Sequence, residues 1–130
     1  MLKNLSPLMS GALLHALDEA PSGAWIAIVS PEHHAPDGIR LPPESVEAVA
    51  AAMLDVTPLD PDAPIVIESD DELSDVAFAV AGLAADAEGR RFTMLPVPGD
   101  TFGALLTECS VVVAVDAGER FGFLLRKGHC

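Results

Sequence analysis

The chain has 130 residues, 50% of them hydrophobic and 21% charged, which fits a single domain over 1–130 and excludes a multidomain machine or a disordered tail. Seven basic residues against 20 acidic ones give a net charge of −13, a field that repels phosphate backbones and anionic membranes and argues against both as partners. No apolar run reaches the roughly 18 residues of a membrane span, and Pro7, His15, Asp18 and Glu19 interrupt the opening segment where a signal-peptide core would lie. A cytoplasmic protein is expected.

In chain order, Ser10 is placed to cap a helix to about Ala20, because Leu13, Leu14 and Leu17 recur at helical spacing and Pro21 stops it. Trp25 to Val29 is a short apolar run, as in a strand covered on both faces. A loop through Pro31, Pro36, Asp37 and Gly38 leads to Pro42 and Pro43, which with Glu44 and Glu47 open a helix to about Leu54. Ile65 to Ile67 is a second strand, and the acidic stretch from Glu68 to Glu72 reads as a solvated loop before a helix from Leu73 towards Ala87, ended by Gly89. Phe92 to Val97, Val111 to Val115 and Phe121 to Leu125 read as strands, with a helix from Thr101 to Glu108 after the Pro98-Gly99 turn. Strands separated by helices imply mainly parallel pairing in a layered α/β domain, with a ligand site at the C-terminal strand ends.

Twelve carboxylates and no Lys or Arg lie between Arg40 and Arg90, but they lack the alternating spacing of a calcium loop and belong on solvated faces. Cys109 and Cys130 have no CxxC spacing or secretory context and are expected as reduced thiols. A mean hydropathy of +0.37 sits uneasily with the large charge in so small a domain; alanine-rich helices raise the index without much real hydrophobicity, while burial between subunits of a homo-oligomer, the reading favoured here, would cover apolar surface that a monomer exposes.

No GxGxxG, GxxxxGK[ST] or GxSxG motif occurs, so neither a nucleotide cofactor nor a serine nucleophile is supported. The best local cluster is Glu32-His33-His34 just past the first strand, where functional loops lie in α/β folds. Imidazole beside carboxylate suits proton transfer near neutral pH, and His33 with His34 also suits a metal ion; an exposed loop with two incidental histidines is the plain alternative. His15, near Asp18 and Glu19, reads as a surface side chain, and His129 lies at the chain end.

The two ends are informative together. Met1-Leu2-Lys3-Asn4-Leu5-Ser6-Pro7-Leu8 with Leu13, Leu14 and Leu17, and the closing Gly118-Glu119-Arg120-Phe121-Gly122-Phe123-Leu124-Leu125-Arg126-Lys127-Gly128, resemble the D-ribose pyranase / L-fucose mutarotase family. The resemblance implies a three-layer α/β subunit, a homo-oligomer, often a ring, and cofactor-free interconversion of the anomers or ring forms of a free monosaccharide. It also shows departures. The family's Gly-His-Gly-Asp appears as Pro21-Ser22-Gly23-Ala24, its strand-end aspartate falls on Ser30 or Pro31, and its C-terminal tyrosine and asparagine become Phe121 and Phe123. A one-residue shift aligns His33 with a histidine found in some members. The resemblance thus implies His33 as acid/base with Glu32 as its orienter, and Ser22, Ser30, His34, Phe121 and Phe123 as ligand-facing positions. The alternative is a non-catalytic binding or structural subunit that has lost the activity.

Overall fold

A computed structural model of the protein describes residues 11–33, 38–41, 43–60, 62–69, 75–118 and 120–128. Ser10, His34, Leu73, His129, Cys130 and the opening segment 1–8 lie outside the described residues. Helix α1 (Gly11–Glu19) buries Leu13 and Leu17, one turn apart on the same face. The Lys127 ammonium caps its last turn, donating to Leu17 O at 2.6 Å and Ala20 O at 2.7 Å, so carbonyls without helical partners meet a buried cation. Helix α2 (Val46–Leu54) starts where the Ser45 hydroxyl accepts from the Ala48 N–H at 3.2 Å. Helix α3 (Asp75–Glu88) ends at Gly89, whose φ of 71° is open to a residue without Cβ. Helix α4 (Gly99–Leu106) begins two residues earlier than its sequence pattern indicates, because the Pro98 carbonyl already accepts from the Phe102 N–H at 2.9 Å.

The strands are β1 (Trp25–Val29), β2 (Ile39–Arg40), β3 (Ile65–Glu68), β4 (Met94–Val97), β5 (Val111–Ala114) and β6 (Gly122–Arg126), in the sheet order β2-β5-β1-β6-β3-β4. The two-residue β2 falls in what the sequence reads as loop; it is too short to carry a periodic signal. β1–β5, β2–β5 and β3–β4 pair in parallel, while β6 runs antiparallel between β1 and β3. The sheet is therefore mixed, with one reversed strand among parallel neighbours. Among the described residues no helix lies between β5 and β6 to carry the chain back across the sheet, and it returns in the opposite direction.

Alternation along the strands divides the core. Ile26, Ile28, Ile65, Ile67, Val111, Val113, Phe123 and Leu125 pack with α1, α2 and α3 on one face. Ala27, Val29, Val66, Ala114 and Leu124 pack with Phe102 and Leu106 of α4 on the other. The result is the expected three-layer α/β arrangement. Among the described residues, no helix is long and apolar enough to cross a membrane. Cys109 is a free thiol, and burial, followed by the nearby Glu108 charge, pushes it up to about 11, so it is a poor nucleophile.

Candidate functional site

The site grows from the end of β1. Ser30 follows Val29 with no solvent exposure. Its N–H donates to Phe121 O at 3.1 Å, and the Phe121 N–H donates to Ser30 Oγ at 3.1 Å. A side chain thus continues the β1–β6 ladder one step beyond the strands. Pro31 then enters a turn closed by the His33 N–H on Ser30 O at 3.2 Å, a position suited to its fixed φ. This turn folds the His33 ring back onto the strand end. Nδ1 lies 3.3 Å from Ser30 Oγ and 3.2 Å from Ser30 O, and Nε2 lies 3.0 Å from Oε2 of Glu68.

Glu68 is the last residue of β3 and shares the α4 face with Val66 by strand alternation. Arg120, just before β6, forks onto it: Nε donates to Oε1 at 3.0 Å and Nη2 to Oε2 at 3.1 Å, a bidentate geometry lysine cannot reproduce. The His33 and Glu68 side chains are only 5% and 10% exposed, whereas Arg120 is 57% exposed. Phe102 of α4 meets the imidazole edge-on, with ring centroids 5.4 Å apart. It fits because residue 122 is glycine, where a Cβ would lie 2.6 Å from Phe102 Cζ and 3.3 Å from Glu68 Cβ.

Burial alone would raise the Glu68 carboxyl. Hydrogen bonds from Arg120 and then His33 outweigh that cost and hold it below its ordinary value of 4.5. Glu68, Ser69, Arg120 and Phe121 border a cleft of about 110 Å³. Glu68 lines this cleft, and His33 lies between Glu68 and Ser30. The arrangement offers a proton acceptor, an imidazole bonded to it, and a guanidinium able to meet developing negative charge, all at the C-terminal ends of the parallel strands β1 and β3.

Of the residues picked out by sequence, the structure brings His33, Ser30 and Phe121 together. The carboxylate on the His33 ring is Glu68, not Glu32. Glu32 is exposed, and its carboxyl is held low by the Ser30 hydroxyl and then by its own backbone N–H. Ser30 is enclosed among Phe121 and His33, and Phe121 and Phe123 are 6% and 1% exposed and stack at 6.0 Å within the larger core. Ser22 stands at the other end of β1, about 13 Å of strand away, beside a hollow of about 520 Å³ that it shares with Asp60, Glu88 and Arg126. Both His33 nitrogens are engaged by Ser30 and Glu68, and His34, its proposed metal-binding partner, lies outside the described residues. Among the described residues no group of three or more His, Cys, Asp or Glu is arranged to hold a metal ion. Sequence reasoning missed Glu68 and Arg120. The available signal was position: Glu68 directly follows the strand Ile65 to Ile67, and Arg120 directly precedes the last strand.

No protein-family model matches the sequence, and no curated protein matches it. Solved structures do. Protein Atu2016, a candidate sugar-binding protein, matches with a TM-score of 0.88 at 24% identity, over 100% of this chain and 97% of that one. The fucose mutarotase of Streptococcus pneumoniae in complex with L-fucose matches at 0.83 and 17% identity, over 99% of each chain. RbsD of Bacillus subtilis complexed with D-ribose matches at 0.77 and 15% identity, over 100% of this chain and 99% of that one. The protein therefore has the α/β fold of fucose mutarotase and RbsD from end to end, as the resemblance at its two termini implies.

Proposed function

We propose that the protein binds a free monosaccharide at the Glu68 cleft, in the cytoplasm, and interconverts its anomers or ring forms by acid–base chemistry without a cofactor. One observation carries this reading: the 3.0 Å contact between the largely enclosed His33 and Glu68 side chains, with Glu68 lining a cleft at the strand ends. The fold shared with structures holding L-fucose and D-ribose supports the substrate class.

Opening a cyclic hemiacetal removes the proton of the anomeric hydroxyl, breaks the bond between the anomeric carbon and the ring oxygen, and adds a proton to that oxygen. Glu68 takes the first proton. Arg120 donates a hydrogen bond to the ring oxygen as it gains charge, and water at the exposed side supplies its proton. Closure on the opposite face of the carbonyl reverses each transfer and yields the other anomer. His33 orients Glu68, and Ser30 orients His33. Assembly into a homo-oligomer, in a ring by the family resemblance, belongs to the same reading, with Phe78 at 55% and Leu95 at 45% exposure as apolar contacts for a second copy. A monomer by light scattering would contradict that part.

The second reading is a subunit that binds a sugar-like ligand without turning it over. The Arg120 fork favours it, since a carboxylate held below its ordinary value is a weaker base. Anomer-exchange NMR with free sugars, L-fucose and D-ribose first, separates the two. Turnover lost by about 10²–10⁴-fold in His33→Ala at unchanged oligomer mass supports the enzyme. Exchange equal to buffer for every sugar, together with saturable sugar binding, supports the second reading.

A further inference from the structure

Resting on the reading of His33 as the residue that orients Glu68, we propose that the Ser30 hydroxyl is a positioning rotor that keeps His33 Nδ1 hydrogen-bonded in both protonation states of the ring. The placement of donors and acceptors supports this. Ser30 Oγ has one proton and several partners: it accepts from the Phe121 N–H at 3.1 Å, it lies 3.2 Å from Phe121 O and 3.3 Å from His33 Nδ1, and the solvent-exposed Glu32 carboxylate reaches it from the turn. The Ser30 carbonyl lies 3.2 Å from the same Nδ1.

When the ring is neutral and donates from Nε2 to Glu68, Nδ1 carries a lone pair and takes the hydroxyl proton of Ser30. Phe121 O then keeps its bond from the Ser30 N–H at 3.1 Å. When the ring carries its second proton, Nδ1–H donates to the Ser30 carbonyl and the hydroxyl turns to Phe121 O. Every polar group in this enclosed corner has a partner in each state, so neither state leaves a buried group unpaired. A structural serine needs only one such arrangement; this geometry supplies two, one for each form of the ring that orients Glu68. Glu68 faces the ring directly, Arg120 acts through Glu68, and Glu32 reaches the Ser30 hydroxyl from the turn.

Nitrogen-15 NMR of the histidine-labelled full chain tests this without reference to turnover. At a pH that neutralises the ring, His33 is expected to be protonated on Nε2 with Nδ1 accepting a hydrogen bond. A neutral ring protonated on Nδ1 overturns the proposal. Ser30→Ala removes the donor to the neutral ring and keeps the carbonyl that serves the charged one, so the protonated form gains about fivefold over the neutral form, the worth of one hydrogen bond. Ser30→Thr restores the wild-type balance. An alanine variant with an unchanged balance also overturns the proposal, and if that variant does not fold, the proton position in the wild type still decides. A protein inert towards every sugar but with this Ser30-dependent balance retains the rotor and loses the proposed reaction. An active protein with neutral His33 protonated on Nδ1 loses only the rotor.

Discussion

Gly122→Ala tests the packing that holds the site together. The added methyl would lie 2.6 Å and 2.7 Å from two Phe102 ring carbons and 3.3 Å from Glu68 Cβ, well inside van der Waals contact. Phe102 has no exposed surface into which to move, and it is held by the packed core on the α4 face and by the His33 ring. Overpacking of a filled core costs about 1–3 kcal/mol, and the rigidity on both sides puts this case in the upper half of that range. For a domain of this size the loss lowers Tm by roughly 4 °C per kcal/mol. Chemical denaturation gives the free energy, and Phe102→Leu in the same background gives the coupling. The double variant is expected to cost less than the sum of the singles, because the smaller leucine yields the space the methyl needs. A Gly122→Ala protein within about 0.5 kcal/mol of wild type would refute the claim that this glycine is required by close approach.

Three further outcomes follow from the same contacts. Lys127→Met removes charge-assisted bonds to Leu17 O and Ala20 O and should cost about 2–4 kcal/mol, with faster hydrogen exchange in α1; unchanged exchange there would contradict the capping role. Thr57 is buried and its hydroxyl has no partner among the described residues, so Thr57→Val should be neutral or stabilising by up to about 1 kcal/mol in urea melts, and a clear loss would contradict that. Glu68 titrates below 4.5 in the folded chain, so its stabilisation is fully present above that pH and is lost as the pH falls through the lowered folded value. The stability gap between wild type and Glu68→Gln should therefore be constant near neutrality and close in acid; a gap that widens in acid would contradict the depressed carboxyl.

Strands buried on both faces were legible because apolar runs such as Trp25 to Val29 and Ile65 to Ile67 stand between prolines and polar turns. Their partners were less so. The reversal of β6 depends on what the short link from Val115 to Phe121 omits, namely a helix, rather than on any pattern within the strand. The site was legible at His33 but not at its carboxylate. Local reading pairs His33 with its neighbour Glu32, whereas the strand ladder brings in Glu68 from 35 residues away. Glu68 also begins an acidic run, and nothing in the residue types of such a run marks which carboxylate the fold encloses. Ser22, Phe121 and Phe123 were drawn from a motif alignment. Alignment assigns equivalent positions but gives no account of the exposure or spacing that decides whether those residues meet.

In the proposed reaction Glu68, backed by His33, moves the proton of a bound sugar's anomeric hydroxyl. Two-dimensional exchange NMR on a panel of free monosaccharides, comparing wild type with Glu68→Gln, measures that step directly. The account predicts exchange above the buffer rate for at least one sugar in the wild type and a loss of about 10²–10⁴-fold in the variant. Equal exchange in both proteins for that sugar would contradict it.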